Sequence, residues 1–141
     1  MIKFFMYEII PDLWVSKTNT VKGDNIIHIN CSNDLKFLGK HKGYNDEIKK
    51  NIVKYELLEL YKYTINSIEN IHRYLLNNKT VVISCASCHQ LSPLIAIAYI
   101  IKYSKLNKVT AIELFKTKKE NILIEGLYFN HILDKISRSN I

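Results

Sequence analysis

The most constraining stretch of this sequence is a β-branched run followed, after a short connection, by a long apolar segment. Residues 80 to 83 read Thr-Val-Val-Ile directly after a helical pattern, which predicts a central parallel strand. Residues 94 to 101 are apolar nearly all round, as expected of a helix buried among other elements. Ser92 and Pro93 predict its N-cap and its first position. We therefore predict an α/β chain with SCASCHQLSP joining strand and helix.

Length and composition predict one domain covering residues 1–141. The chain is 48% hydrophobic and 23% charged, enough for a sizeable core. Its three cysteines do not make a disulfide framework, and its N-terminus lacks the pattern of a signal peptide. No apolar run approaches the roughly 18 residues of a membrane span. We therefore expect an intracellular protein with reduced thiols, in the cytoplasm of its own or a host cell, with no membrane partner.

The charge balance favours acidic partners. Lysine and arginine number 20 against 13 acids, which gives a formal net charge of +7. The lysines are spread along the chain, however, and only Arg73 and Arg138 offer the bidentate forks common in phosphate or guanine recognition. This pattern disfavours nucleic acid, so we expect the partner to be a protein, phosphorylated or not.

Other segments complete the predicted sheet. Residues 1–16 alternate around apolar positions with a break at Pro11, which predicts two short strands. Residues 26–31 predict a buried strand, in which His28 is expected to be a hydrogen-bonded core residue rather than a ligand. Residues 33–50 predict a loop with one short strand at 36–38.

Three further helices are predicted from apolar spacing. They cover about residues 56–76, 108–118 and 125–137. Their expected inward-facing residues are Leu57, Leu60, Tyr61, Ile65, Ile68, Ile71 and Leu75 in the first, Val109, Ile112 and Phe115 in the second, and Phe129, Ile132, Leu133 and Ile136 in the third.

The connection SCASCHQLSP fits three kinds of cofactor or redox chemistry when it is taken alone. Cys85 and Cys88 followed by His89 have the spacing of a c-type haem site, but the only methionines are Met1 and Met6 and no export signal exists. A thioredoxin-like site is disfavoured because no proline follows Pro93, although oxidation could still join the two cysteines.

A structural zinc site fits the same connection no better. It needs further ligands from a second closely spaced pair, whereas Cys31 or His131 would have to arrive singly. We expect no metal and no cofactor.

A fourth interpretation is a phosphate-binding loop. A strand ends in Cys85, five residues follow, and a helix then begins, so that successive backbone N–H groups and the helix dipole converge on an anion. The loop would comprise Cys85, Ala86, Ser87, Cys88, His89, Gln90 and Leu91.

At this point the chain resembles the dual-specificity phosphatase family over most of its length. Residues 81–92 are similar to the signature VxVHCxxGxxRS, residues 12–16 to an early strand "lyiG", and residues 26–31 to a strand "ithVlNv". Further along, residues 98–100, 108–114 and 126–133 resemble the motifs "AYLM", "eAielvk" and "nxgFxxQL". The resemblance implies a cysteine-phosphatase fold, with a mostly parallel central sheet flanked by helices.

The departures from the family pattern fall on the catalytic positions. The signature arginine corresponds to Leu91, the histidine before the nucleophile to Ser84, and the signature glycine to Cys88. Of the signature residues, Cys85 and Ser92 are retained. The family's general acid, an aspartate, has no counterpart between Asp46 and Cys85, and Glu56 is better explained as a solvated or capping residue.

The resemblance and its departures together predict a pseudophosphatase that acts by protein–protein interaction, with Cys85 as a vestigial nucleophile. Two alternatives stay open. One is a weak or atypical phosphatase in which Cys85 still attacks and His89 or a lysine partly replaces the guanidinium. The other is a module that binds phosphorylated residues without hydrolysing them.

Overall fold

The computed structural model describes residues 6–16, 23–30, 54–84, 91–118 and 127–139. Within these ranges four strands form one mixed sheet: β1 (Met6–Ile10), β2 (Leu13–Ser16), β3 (Ile26–Asn30) and β4 (Thr80–Ser84). Their order is β1-β2-β4-β3. Strand β4 runs parallel to both of its neighbours, and only β1 and β2 pair antiparallel. The predicted mostly parallel sheet, with residues 80–83 in a central strand, is confirmed.

The turn between β1 and β2 is fixed by hydrogen bonds to both sides. Asp12 has a φ of 69°, and its backbone N–H donates to Oε2 of Glu8 at 3.1 Å. Its carboxylate accepts a hydrogen bond from Oγ1 of Thr80 at 3.2 Å, and its carbonyl accepts one from the N–H of Val81 at 2.8 Å. The turn predicted at Pro11 therefore also holds the start of β4 in place.

The described part of the chain contains four helices: α1 (Lys54–Leu76), α2 (Leu91–Tyr103), α3 (Lys108–Lys118) and α4 (Leu127–Arg138). The predicted helices lie within two residues of these bounds. Helix α2 begins at Leu91, so Ser92 lies in its first turn, and the N-cap position predicted for Ser92 is wrong.

Helix α2 is the centre of the core. Its residues 94–98, 100 and 101 have no exposed surface, and it contacts β2, β4 and the other three helices. The sheet contributes Leu13, Val15, Val81 and Ile83 to the same cluster. Each such buried aliphatic side chain contributes about 1.5–3 kcal/mol. A helix with apolar residues on all sides is stable here because protein surrounds it.

Two of the predicted placements are wrong. Strand β3 lies at an edge of the described sheet rather than inside it, and its residues Ile26 to Ile29 are only half-buried, so His28 is not a core residue. Val109 is 66% exposed, and Ala111 instead faces the core beside Phe115. The predicted strand at 36–38, Cys31 and the side chains of Leu57 and Phe129 lie outside the described residues.

Inward-facing positions on the other helices agree better with the prediction. Leu60, Ile68 and Ile71 of α1 are buried, as are Ile132, Leu133 and Ile136 of α4. Tyr61, Ile65 and Leu75 are half-buried at the margin of the core. No helix in the described ranges combines the length and the apolar character that crossing a membrane requires.

Candidate functional site

The carboxyl ends of three parallel strands place polar residues side by side. Ser84 at the end of β4 is in register with Ser16 of β2 on one side and with Asn30 of β3 on the other. In α/β proteins ligands bind outside the carboxyl ends of the strands. The connection between β4 and α2 leaves the sheet at this edge, which therefore carries the candidate site.

Ser84 is buried immediately before the predicted loop of residues 85–91, which we call the candidate loop. It is 2% exposed, and its Oγ has no hydrogen-bond partner within the described ranges. Ser16 beside it is fully buried as well. Because Ser84 is buried, its hydroxyl is not exposed for direct contact with a ligand.

The start of α2 forms the other side of the candidate loop. Leu91 is the first helical residue, and the first turn contains no acidic side chain. Ser92 and Pro93 in that turn are buried. The free backbone N–H groups and positive dipole end of a helix attract anions, and a carboxylate here would oppose that attraction. The electrostatics of this helix start are therefore suited to a phosphate group.

The predicted loop residues Cys85, Ala86, Ser87, Cys88, His89 and Gln90 lie outside the described residues, and so does the side chain of Leu91. These residues connect Ser84, the last residue of β4, to Leu91, the first residue of α2. The individual roles assigned to the loop residues stay predictions. The side chain of Glu56 also lies outside the described residues.

The described aspartates are at the wrong end of the molecule for a general acid. Asp12 and Asp24 precede β2 and β3, so they lie at the amino ends of the strands that pair with β4. Asp134 forms an ion pair at 2.8 Å with Lys108, which begins α3 just after α2 has ended. None of these three carboxylates lies beside the start of α2, where the loop re-enters the helix.

An aromatic cluster between α1 and α2 is a feature that the sequence analysis missed. Nδ1 of His72 and Oη of Tyr99 are hydrogen-bonded at 3.1 Å, and the rings of His72 and Tyr103 stack with centroids 4.0 Å apart. Burial raises the pKa of Tyr99, with a smaller effect from Tyr103. Burial likewise raises the pKa of Tyr103, with Glu69 adding to the shift. The cluster was hidden because Tyr99 and Tyr103, one helical turn apart, also fit an ordinary core pattern.

Comparison with known proteins gives structural likeness only. No protein-family model and no curated protein matches this sequence. The first of three similar solved structures is a leucine-rich-repeat and phosphatase-domain protein from Entamoeba histolytica, with a TM-score of 0.70 and 19% identity, covering 96% of this chain and 92% of that one.

The other two similar structures are mammalian. A mouse putative dual specificity phosphatase complexed with zinc tungstate has a TM-score of 0.69 and 11% identity, with 95% and 87% of the two chains covered. A human tyrosine phosphatase-like serine/threonine/tyrosine-interacting protein has a TM-score of 0.68 and 15% identity, with 95% and 96% covered. Because these likenesses extend over nearly the whole chain, they concern the complete arrangement of sheet and helices.

Proposed function

We propose, from the premise that this chain has the fold of the dual-specificity phosphatases, that it is a pseudophosphatase acting through protein–protein interaction. The observation that carries the proposal is the identity of the residue at the start of α2. This first helical position, which is also the last residue of the predicted loop, is Leu91, where the resemblance places the signature arginine.

The physical reason is the charge that develops during phosphoryl transfer. An arginine at the helix start binds two phosphoryl oxygens at once and stabilises their charge in the transition state. The apolar side chain of leucine offers neither a donor nor a charge. Loss of such a group removes several kcal/mol of transition-state stabilisation, or about three decades in rate.

Two further features support the loss of catalysis. Ser84, where the resemblance expects a histidine, is a buried serine that carries no charge to lower the pKa of a neighbouring thiol. No described aspartate lies beside the start of α2, so none of them is placed to protonate a leaving oxygen.

The retained fold supports a binding role. An extensive core built around α2 requires many positions to stay apolar. This core is retained here, whereas the sequence departs from the family's catalytic pattern. One structural neighbour is described as a phosphatase-like interacting protein, and another combines a phosphatase domain with leucine-rich repeats. We propose that this chain likewise uses its surface to bind a protein.

Hydrolysis of p-nitrophenyl phosphate tests the loss of catalysis. Wild-type protein and the Cys85→Ser variant are expected to release p-nitrophenol at the same rate, equal to that of buffer with an inert protein. Hydrolysis by the wild type that disappears in Cys85→Ser would establish the alternative, a weak phosphatase that uses Cys85.

A second candidate function, recognition of a phosphorylated residue without hydrolysis, is favoured by the start of α2. Its first turn lacks acidic side chains, and one structural neighbour is a complex with tungstate, an oxyanion. Without a guanidinium the affinity is expected to be weak and to fall with salt. Titration with a phosphotyrosine peptide and its unphosphorylated twin separates the two functions, because equal affinity for both excludes phosphate recognition.

A further inference from the structure

A groove lies between α1 and the ends of α2 and α4, at the opposite end of α2 from its first residue, Leu91. Its volume is about 480 Å³, within the range of ligand-binding clefts. One wall follows α1 from Tyr61 to Glu69, a length of about 12 Å. The opposite wall consists of Lys102 and Tyr103 at the end of α2 and Ser139 just beyond α4. We call this cleft the helical groove.

The floor of the helical groove is apolar and aromatic. It is formed by Ile68, which is 1% exposed, and by the half-buried side chains of Ile65, Tyr61 and Tyr103. Tyrosine rings surrounded by polar residues are common at the centres of protein–protein interfaces, since they bury a large area and lose little entropy.

Both tyrosines of the floor are held in place by neighbours outside the groove. The ring of Tyr103 stacks on His72 and lies 5.0 Å from the ring of Tyr99. Nζ of Lys135 lies 4.4 Å from the centroid of the Tyr61 ring. Side chains that are fixed before binding lose less entropy when a ligand arrives, so this floor is preorganised.

The rim of the helical groove is predominantly basic. Lys62 and Lys102 line it. Glu69 is the single acidic residue among the described residues that line it. Together with a formal net charge of +7, this distribution attracts acidic ligands.

From this geometry we infer that the helical groove binds an acidic segment of a partner protein, with an aromatic or aliphatic side chain seated between Tyr61 and Tyr103. The groove length accommodates about four residues of extended chain. The inference rests on the proposed function in one respect, because it names the surface through which a protein partner is bound.

Other occupants fit the groove less well. A second copy of this chain would bring another net charge of +7 against the basic rim. A nucleic acid strand presents a continuous line of phosphates, which would lie against Glu69, and none of the described lining residues is an arginine that could bind its bases or phosphates.

Selection from a phage-displayed library of random dodecapeptides tests the inference. Peptides selected on the wild-type protein are expected to be enriched in Asp and Glu around an aromatic or aliphatic residue. Their Kd, measured by fluorescence anisotropy, should rise at least tenfold in the Lys62→Glu/Lys102→Glu double variant. The matched control is Lys116→Glu/Lys118→Glu, which makes the same charge change on exposed residues of α3 and should alter Kd less than twofold. Circular dichroism confirms that both variants are folded.

Three results would overturn the inference. The first is that the selected peptides show no excess of acidic residues. The second is that both double variants lose the same affinity for the peptides. The third is that a single-stranded oligonucleotide of equal charge binds more tightly than the peptides and displaces them. A wild-type dimer in solution that dissociates in Lys62→Glu/Lys102→Glu would assign the groove to a second copy.

The proposed function and the groove fail separately. Cys85-dependent hydrolysis would remove the pseudophosphatase proposal and leave groove binding intact. If the protein is inactive and selects no acidic peptide, only the inference about the groove is rejected, and the pseudophosphatase proposal stands.

Discussion

At the level of single residues, the proposed function depends on Leu91, because binding an anion and stabilising a transition state need different groups. Backbone N–H groups at a helix start attract phosphate whatever the side chains are, because every residue except proline supplies one. Stabilising the extra charge of a transition state needs a hydrogen-bond donor whose interaction becomes stronger during the reaction. Leucine has no such donor. A protein with Leu91 at this position can therefore keep the loop and lose the chemistry.

Ser84 gives a stability prediction at the same scale. Its buried hydroxyl has no hydrogen-bond partner in the described residues, so Ser84→Ala removes a group that is desolvated without compensation. The free energy of unfolding is expected to stay the same or to rise by up to about 1 kcal/mol. Urea denaturation followed by circular dichroism measures the difference.

The matched control for Ser84 is the buried hydroxyl of Thr64, which donates to the carbonyl of Leu60 at 2.8 Å. Thr64→Val should lower the free energy of unfolding by about 0.5–1.5 kcal/mol, because a hydrogen bond is lost. A loss of more than about 1 kcal/mol in Ser84→Ala would contradict this account of Ser84.

Among the elements, α2 is expected to dominate stability. Ile97 in its middle has no exposed surface, so Ile97→Ala should leave a cavity and lower the free energy of unfolding by about 2–5 kcal/mol. Val109→Ala in α3 removes a side chain that is 66% exposed and should change it by less than about 0.5 kcal/mol. Equal losses in urea denaturation would show that α2 is not the centre of the core.

The packing of α1 against α2 predicts a loss of stability in alkali. Burial raises the pKa of Tyr99 above its ordinary value of 10.0, so the folded protein holds the phenolic proton more tightly than the unfolded chain does. This contribution is complete below pH 10 and is lost as the pH rises through the raised pKa of the folded state.

Tyr99→Phe tests this alkaline dependence. The variant loses the hydrogen bond to His72 and should be less stable at pH 8, yet its free energy of unfolding should fall less steeply between about pH 9 and 11. Part of the dependence of the free energy of unfolding on pH remains in the variant, because the pKa of Tyr103 is also raised. Identical slopes for wild type and variant in urea denaturation at several pH values would contradict the assignment to Tyr99.

The elements themselves were largely predictable from the sequence, but their surroundings were not. The β-branched run of β4 and the uniformly apolar α2 allow few alternatives, because each pattern is stable only when buried. Residues 26–29 show a similar apolar pattern, although β3 is an edge strand of the described sheet, since local sequence does not reveal how many neighbours a strand has. Apolar spacing predicted Val109 as inward-facing in place of Ala111, because a small buried alanine contributes less to the hydrophobic pattern than an exposed valine.

The strand and the helix start on either side of the predicted loop were predictable, and the helical groove was not. Strand, loop and helix start follow one another in the chain, so the phosphate-loop pattern could be found by inspection. The groove joins α1 to the ends of α2 and α4, so it exists only after these helices pack. Tyr61, Ile65 and Tyr103 have helical core spacing, and nothing local distinguishes a residue at a groove floor from one in the core.

At the level of the whole molecule, the start of α2 and the helical groove are far apart. Leu91 begins α2, whereas Lys102 and Tyr103 lie at its other end, about 18 Å away along the helix. A protein bound in the groove thus needs no access to the loop. Under the proposed function, this separation would allow the groove to bind a partner independently of the residues at the start of α2.

The most direct test of the central claim is Cys85-dependent turnover of p-nitrophenyl phosphate before and after the signature is restored. The wild type should match its Cys85→Ser variant, whereas Ser84→His/Cys88→Gly/Leu91→Arg should turn over at least tenfold faster than the same triple variant carrying Cys85→Ser. Cys85-dependent turnover already present in the wild type, and not increased by the three substitutions, would contradict the claim that Leu91 marks a lost activity.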